Sequence, residues 1–249
     1  MADAWRYDGW SEGELALHLG LPRVRLLETV GSTLDVAHEL AASGAPAGTL
    51  VLAERQTEGR GRGGKRWTSE PGAGIWLTLV ERPGDPEALA VLALRLGLRA
   101  AAVLDRFTPA RVQLKWPNDL YVGAGKLAGI LVESRWRDGR PDWVAIGMGL
   151  NVRPPADQPR AAALSPGASR VEVLGELVPA LRAAAQARGA LSAAELSAFA
   201  ARDVARGRRC TEPVPGTVQG LTASGELVVH TGAGDVTFRA GSLVLAEDA

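Results

Sequence analysis

Cysteine is almost missing from this chain: Cys210 stands alone among 249 residues. A single thiol excludes an intrachain disulfide and a cysteine-built metal cluster, and a lone cysteine is more often a small packing residue than a nucleophile. An excess of either charge is missing too. Lys plus Arg and Asp plus Glu both number 28, for a formal net charge of zero, whereas a dedicated nucleic-acid binder usually carries a basic surplus. No uncharged run reaches the ~18 residues of a membrane-spanning helix. The opening MADAWRYDGW lacks the basic-then-apolar layout of a secretory leader. These absences predict a soluble, cytoplasmic chain. Its hydrophobic fraction of 46% suits a globular protein and argues against global disorder.

Periodicity supplies the elements. TLDVAHELAAS (33–43) predicts a short helix, with Ser32 as N-cap and Asp35 placed as in a capping box. GTLVLAE (48–54), GIWLTLV (74–80), VQLKW (112–116), LAGILVES (127–134) and DWVAIGMGLNV (142–152) predict strands. Residues 86–107 predict one long, deeply packed helix with Pro86 in its first turn. A Pro- and Ala-rich loop (153–168) precedes helices at 170–188 and 193–205, with capping boxes from Ser169/Glu172 and Ser192/Glu195. After Pro213 and Pro215, short alternating strands with glycine turns predict a small all-β appendage.

Residues 58–67, EGRGRGGKRW, hold four glycines and four basic side chains. Gly59, Gly61 and Gly64 satisfy G-x-G-x-x-G after a strand. A dinucleotide site, however, needs a helix to follow at once, so that its N-terminus meets the pyrophosphate, and RWTSEPGAG is turn chemistry. A P-loop fails as well, because Arg66 replaces the Ser or Thr that holds magnesium. RGG-type RNA-binding tracts are long and repeated, whereas this one is short and lies between apolar strands. Two readings remain: a solvated loop, or a glycine-hinged loop that brings Arg60 and Arg62 onto an anion. In the second reading Trp67 offers a flat apolar face for a ring.

Downstream, KWPNDLYVGAGKLAGILVES gathers Lys115, Asn118, Asp119 and Lys126 between two strands. A simple turn explains Pro117 and Asn118, but not two lysines and an aspartate in so apolar a stretch. Asn151 ends GMGLN, where small residues let a ligand approach the backbone.

The motifs GST (31–33), GRGRGGKRW (59–67), KWPNDLY (115–121), GKLAGIL (125–131) and GMGLN (147–151) together resemble, in order, the motif series of the biotin protein ligases. The resemblance covers roughly residues 26–152, and the C-terminal β segment is similar to that family's terminal barrel. It implies an α+β fold: a mixed central sheet with helices packed on it, of class II synthetase-like type, plus a small C-terminal SH3-like β-barrel. It divides the chain into a short N-terminal segment (1–25), a catalytic domain (26–209) and the barrel (210–249). The implied chemistry joins biotin to ATP as biotinyl-5′-AMP, with Mg²⁺, and passes biotin to a lysine of a biotin carboxyl carrier domain.

The resemblance also implies roles. Ser32, Thr33 and Gln56 match residues at the ureido ring of biotin. Arg60, Gly61 and Arg62 match the loop at its carboxyl group and the phosphate. Lys126 matches the lysine at the reacting carboxyl and α-phosphate, a catalytic position shared with Arg62. Trp67 matches a residue near adenine. Lys115, Asn118, Asp119 and Asn151 match nucleotide-side positions, with Asp119 toward Mg²⁺. Leu34 departs from the pattern, since many relatives carry a polar residue there, and Gly63 and Lys65 stand where some carry arginine. Only 25 residues precede LLETVGST, fewer than the DNA-binding domain of some relatives needs. The expectation is therefore a monofunctional ligase, monomer or homodimer, with no DNA or membrane partner. Competing readings are a lipoate or octanoate ligase-type acyl transferase, which release of pyrophosphate with each acid distinguishes, and a non-enzymatic nucleic-acid binder.

Overall fold

The structure, a computed structural model, describes residues 5–155, 158 and 160–246. Along the chain run α1 (Glu12–His18), β1 (Arg23–Val30), α2 (Thr33–Ala42), β2 (Thr49–Gln56), β3 (Gly74–Glu81), α3 (Pro86–Ala90), α4 (Leu92–Leu104), β4 (Gln113–Lys115), β5 (Asp119–Val122), β6 (Gly125–Arg137) and β7 (Arg140–Asn151). Then follow α5 (Arg170–Ala185), α6 (Ala193–Ala200), β8 (Arg209–Glu212), β9 (Gly216–Leu221), β10 (Leu227–Thr231), β11 (Gly234–Phe238) and β12 (Val244–Leu245).

The first seven strands form a mixed sheet in the order β1-β2-β3-β7-β6-β5-β4. Only β1 and β2 pair in parallel. Parallel neighbours need a crossover, and α2 supplies it. Alternation then sorts the side chains. In β7, Val144, Ile146, Met148 and Leu150 enter the main core, whereas Trp143 joins a separate cluster with Ala37 and Ala41 of α2. The period of two therefore turns odd-numbered Trp143, Gly147, Gly149 and Asn151 toward the α2 face.

The long helix expected over 86–107 is two helices. Val91, buried and β-branched, adopts φ −108° and ψ 3°, outside helical values, and separates α3 from α4. The second piece stops at Leu104 because the carboxylate of Asp105 is committed to the Val112 amide (2.8 Å) and to Arg202. Pro86 does open α3, at its first turn. The sheet strands appear within a few residues of their expected places, while α1, β1 and β5 were not anticipated.

The C-terminal strands form a second, five-stranded antiparallel sheet, order β11-β10-β9-β8-β12, beginning at Arg209. It docks on the first unit through one continuous apolar cluster that includes Val218, Leu227, Val229 and Leu243, and through the Trp116 indole donating to the Gly225 carbonyl at 3.1 Å. Residues before β1 belong to the same core: Tyr7 and Leu15 are fully buried. No helix among the described residues is long and apolar enough to cross a membrane.

Candidate active site

A cavity of about 700 Å³ opens at the α2 face, a size typical of small-molecule sites. All twelve residues singled out from the sequence line it: Ser32, Thr33, Gln56, Arg60, Gly61, Arg62, Trp67, Lys115, Asn118, Asp119, Lys126 and Asn151. Five stretches separated by up to 120 residues meet here because β2, β3, β7, β6 and β5 are successive neighbours in the sheet.

The N-terminus of α2 forms one wall. Ser32 caps the helix by accepting from the Leu34 amide at 3.4 Å, a long bond that uses a lone pair and leaves the hydroxyl proton for another partner. The capping box expected with Asp35 does not form: Asp35 turns instead to the Arg60 guanidinium, at 2.8 Å. The Gln56 carbonyl accepts from both the amide (2.9 Å) and the hydroxyl (3.1 Å) of Thr33, while Gln56 Nε2 donates to Ser69 (3.0 Å). Thr78 donates to the Thr33 hydroxyl from behind at 2.8 Å. Ser69 and Thr78 escaped notice in the sequence, since isolated hydroxyls carry no local pattern.

The glycine-arginine segment is a closed loop. Strand β2 is followed by a single 3₁₀ turn, Arg62–Gly64, and by β3 as an antiparallel neighbour of β2, an arrangement with no helix to serve a dinucleotide or P-loop. Arg60 and Arg66 bridge the loop's two limbs, and the Trp67 amide bonds the Gly59 carbonyl at 2.8 Å. Gly59 is required there, since a Cβ would lie 2.5 Å from the Trp67 carbonyl oxygen. The Trp67 ring rests on the backbone of Gly129 and Gly149; a Cβ on Gly149 would come within 2.4 Å of it. Within the GMGLN stretch, Gly149 is thus the position that seats the aromatic ring. The indole N–H of Trp67 is buried without a partner.

Lys126 lies 2.6 Å from Asp119 Oδ1 and 5.4 Å from the centre of the Trp67 ring. A shift of register between Leu120 and Tyr121 aligns Lys126 with Tyr121 across the strand pair. The Asn151 amide is engaged by two carbonyls, those of Lys126 (3.3 Å) and Ala162 (3.1 Å), so this residue holds the Lys126 backbone in place. Asn118 donates to the Ile130 carbonyl at 2.6 Å. Lys115 stands 5.7 Å from the Tyr121 ring. Arg62 reaches the second sheet's unit, donating to the Gly241 carbonyl at 2.7 Å with its guanidinium 5.9 Å from the Trp116 ring.

In a chain of zero net charge this cavity is strongly cationic. Arg60, Arg62, Lys65, Arg66, Lys115 and Lys126 line it, against Asp119 as the only carboxylate among the described lining residues. Such a field favours ligands with several negative charges. No group of three or more His, Cys, Asp or Glu side chains able to hold a metal occurs among the described residues. Gly241, Ser242, Leu243 and Val244 also line the cavity, a contribution that nothing in their local sequence announces.

Among curated proteins, the bifunctional ligase/repressor BirA of Bacillus spizizenii is 40% identical over 137 residues, covering 52% of this chain and 40% of that protein. The biotin–[acetyl-CoA-carboxylase] ligase of Paracoccus denitrificans is 40% identical over 155 residues, 61% of this chain and 62% of its own length. The chain thus spans less than two thirds of the length of either relative. Among solved structures, the biotin protein ligase of Aquifex aeolicus in complex with biotin and ATP matches with a TM-score of 0.72 at 25% identity, over 89% of this chain and 97% of that one. The family of biotin/lipoate A/B protein ligases matches residues 26–151, just over half of the chain and the stretch that supplies most of the cavity's lining, and the chain belongs to that family.

Proposed function

We propose that this chain is a biotin protein ligase, which activates biotin with ATP and transfers it to a lysine of a biotin carboxyl carrier domain. The observation that carries the reading is the cavity itself, where six cations surround a glycine-floored seat beside the Thr33–Gln56 hydrogen-bond pair. The names of the Paracoccus denitrificans and Aquifex aeolicus proteins, ligases for biotin and in the first case for acetyl-CoA carboxylase, support the same acid and acceptor.

In the first step a carboxylate oxygen of biotin attacks the α-phosphorus of ATP and pyrophosphate leaves. In the second the carrier amine attacks the acyl carbon and AMP leaves. Ser32, Thr33 and Gln56 provide hydrogen bonds for the ureido group, arranged by the Thr78 and Ser69 hydroxyls. Lys126 places a cation at the reacting oxygens, where fixed charge stabilises the transition state. Arg62 and Arg60 close the loop over the anhydride and keep water out. Lys115, Asn118 and Trp67 serve the nucleotide. Magnesium arrives on the phosphates of ATP as part of the substrate, and Asp119 suits it as the single carboxylate such ions often use.

Mass spectrometry of a carrier domain incubated with the chain, Mg-ATP and either biotin or lipoate tests this directly. Mass increase with biotin alone is expected. Labelling only with lipoate would transfer the assignment to the other branch of the family, and no labelling with either would remove it.

A further inference from the structure

Beside Arg60, outside the residues that line the cavity, four residues form a chain of hydrogen bonds and ion pairs. Trp143 on β7 donates its indole N–H to His38 Nδ1 at 3.0 Å. An indole nitrogen only donates, so Nδ1 accepts, and the proton of the neutral ring sits on Nε2. That nitrogen lies 2.9 Å from Glu133 Oε2 on β6. The other carboxylate oxygen, Oε1, faces Arg60 Nη2 at 3.6 Å, while Asp35 of α2 holds Arg60 Nη1 at 2.8 Å. Arg60 lines the cavity, but Trp143, His38, Glu133 and Asp35 do not.

The far end of this relay is packed into a buried cluster. Trp143 is 9% exposed and packs with Ala37 and Ala41 on the face that α2 buries. The near end is the loop, where Arg60 bridges Arg66. We propose that Glu133 is a positioning residue for the ligand loop: it holds Arg60 from outside the cavity lining, and its own orientation is set by His38, whose tautomer Trp143 fixes. The assignment rests on the reading of that loop as the cover over an activated acyl intermediate. Two carboxylates on one guanidinium keep the loop's charge at the cavity edge before any ligand arrives. Less ordering is then left for binding to bring about.

Glu133→Gln in the full chain removes the negative charge while keeping shape and an acceptor for His38. Amide hydrogen exchange across residues 58–67, measured without ligand, should become about threefold faster, in keeping with one partly exposed ion pair. With biotin and Mg-ATP, the share of adenylate released rather than transferred should rise. In an Arg60→Gln background the same substitution should add nothing, because Glu133 acts through Arg60. His38→Leu should reproduce the faster exchange by freeing Glu133 to reorient, and it carries the test if Glu133→Gln shows an altered melting profile. Unchanged loop exchange in both variants overturns the assignment. So does an effect of Glu133→Gln that persists undiminished without Arg60, since that marks a sheet-stabilising role. Absence of adenylate in the unsubstituted chain rejects the ligase reading, while loop exchange still decides the positioning role.

Discussion

Lys126 illustrates how residue chemistry and its support separate. The side chain faces Asp119 and the cavity, whereas the backbone is held by Asn151 and by pairing with the segment at Ala161 and Ala162. Lys126→Ala should therefore keep the fold and lose rate, by on the order of 10²–10³ in adenylate formation, the usual loss for one electrostatic contact at a transition state. Pyrophosphate release alongside circular dichroism measures both, and a near-normal rate would exclude the assigned role. Gly149→Ala tests the Trp67 seat. The added methyl must expel the ring, since overpacking of this kind costs about 1–3 kcal/mol, and calorimetry should find ATP binding weakened about tenfold or more. Unaltered affinity would separate the seat from the ligand. All twelve residues expected at the site surround one cavity; the cations, Trp67, Asn118, Asp119 and Asn151 were conspicuous in apolar or glycine-rich surroundings, whereas Ser32, Thr33 and Gln56 came only from the resemblance to the family's motifs. Their supports, Thr78, Ser69, His38 and Glu133, were not conspicuous: each is an ordinary residue until the fold brings it to its partner.

Elements were legible wherever local pattern and tertiary demand agreed. Ser192 and Glu195 form the capping box expected for α6. The same Glu195 also meets Arg95 of α4 at 2.6 Å, a guanidinium that is almost wholly buried. No local signal foretells that contact, 100 residues away. Chiefly through the Arg95 hydrogen bond, the Glu195 carboxyl is lowered from its usual 4.5 to about 2. A depressed carboxylate stabilises the fold above its unfolded value and ceases to do so as pH falls through the folded value. Stability should accordingly drop between about pH 4.5 and about pH 2, and Glu195→Gln should show less of that fall. At neutral pH this variant should be less stable by about 2 kcal/mol, below the loss for a fully buried pair because Glu195 keeps some solvent contact. Melting temperatures across the acid range decide it; parallel curves for the two proteins would refute the assignment. Elsewhere local pattern misled. Apolar residues nearly surround the segment 86–107, so periodicity does not reveal the break at Val91. Strand β5 is four residues long, too short for alternation to register beside its turn.

At the scale of the whole molecule, the second sheet and the loop meet at Arg62. Its bond to the Gly241 carbonyl spans 179 residues of sequence and ties the cavity's cover to the C-terminal unit. Arg62→Gly should break that tie and let activated biotin escape, so that bystander proteins become labelled on their lysines. Strict selectivity for the carrier in such a variant would deny Arg62 its part in retaining the intermediate. The individual strands and helices and the separate β unit after them were readable because strands, helices and turns leave different periods in the sequence, whereas the mixed central sheet was implied by the resemblance to the family. The family was readable because five short motifs keep their order regardless of how the chain folds between them. What only the tertiary structure decided is the partnership of residues far apart. Asp35 serves Arg60 and not the cap of its own helix, Asn151 holds Lys126, and the turn at Gly241 helps to close the cavity. Hydrogen bonds and ion pairs act over a few ångströms of space, and sequence separation does not encode which groups the sheet order will bring within that reach.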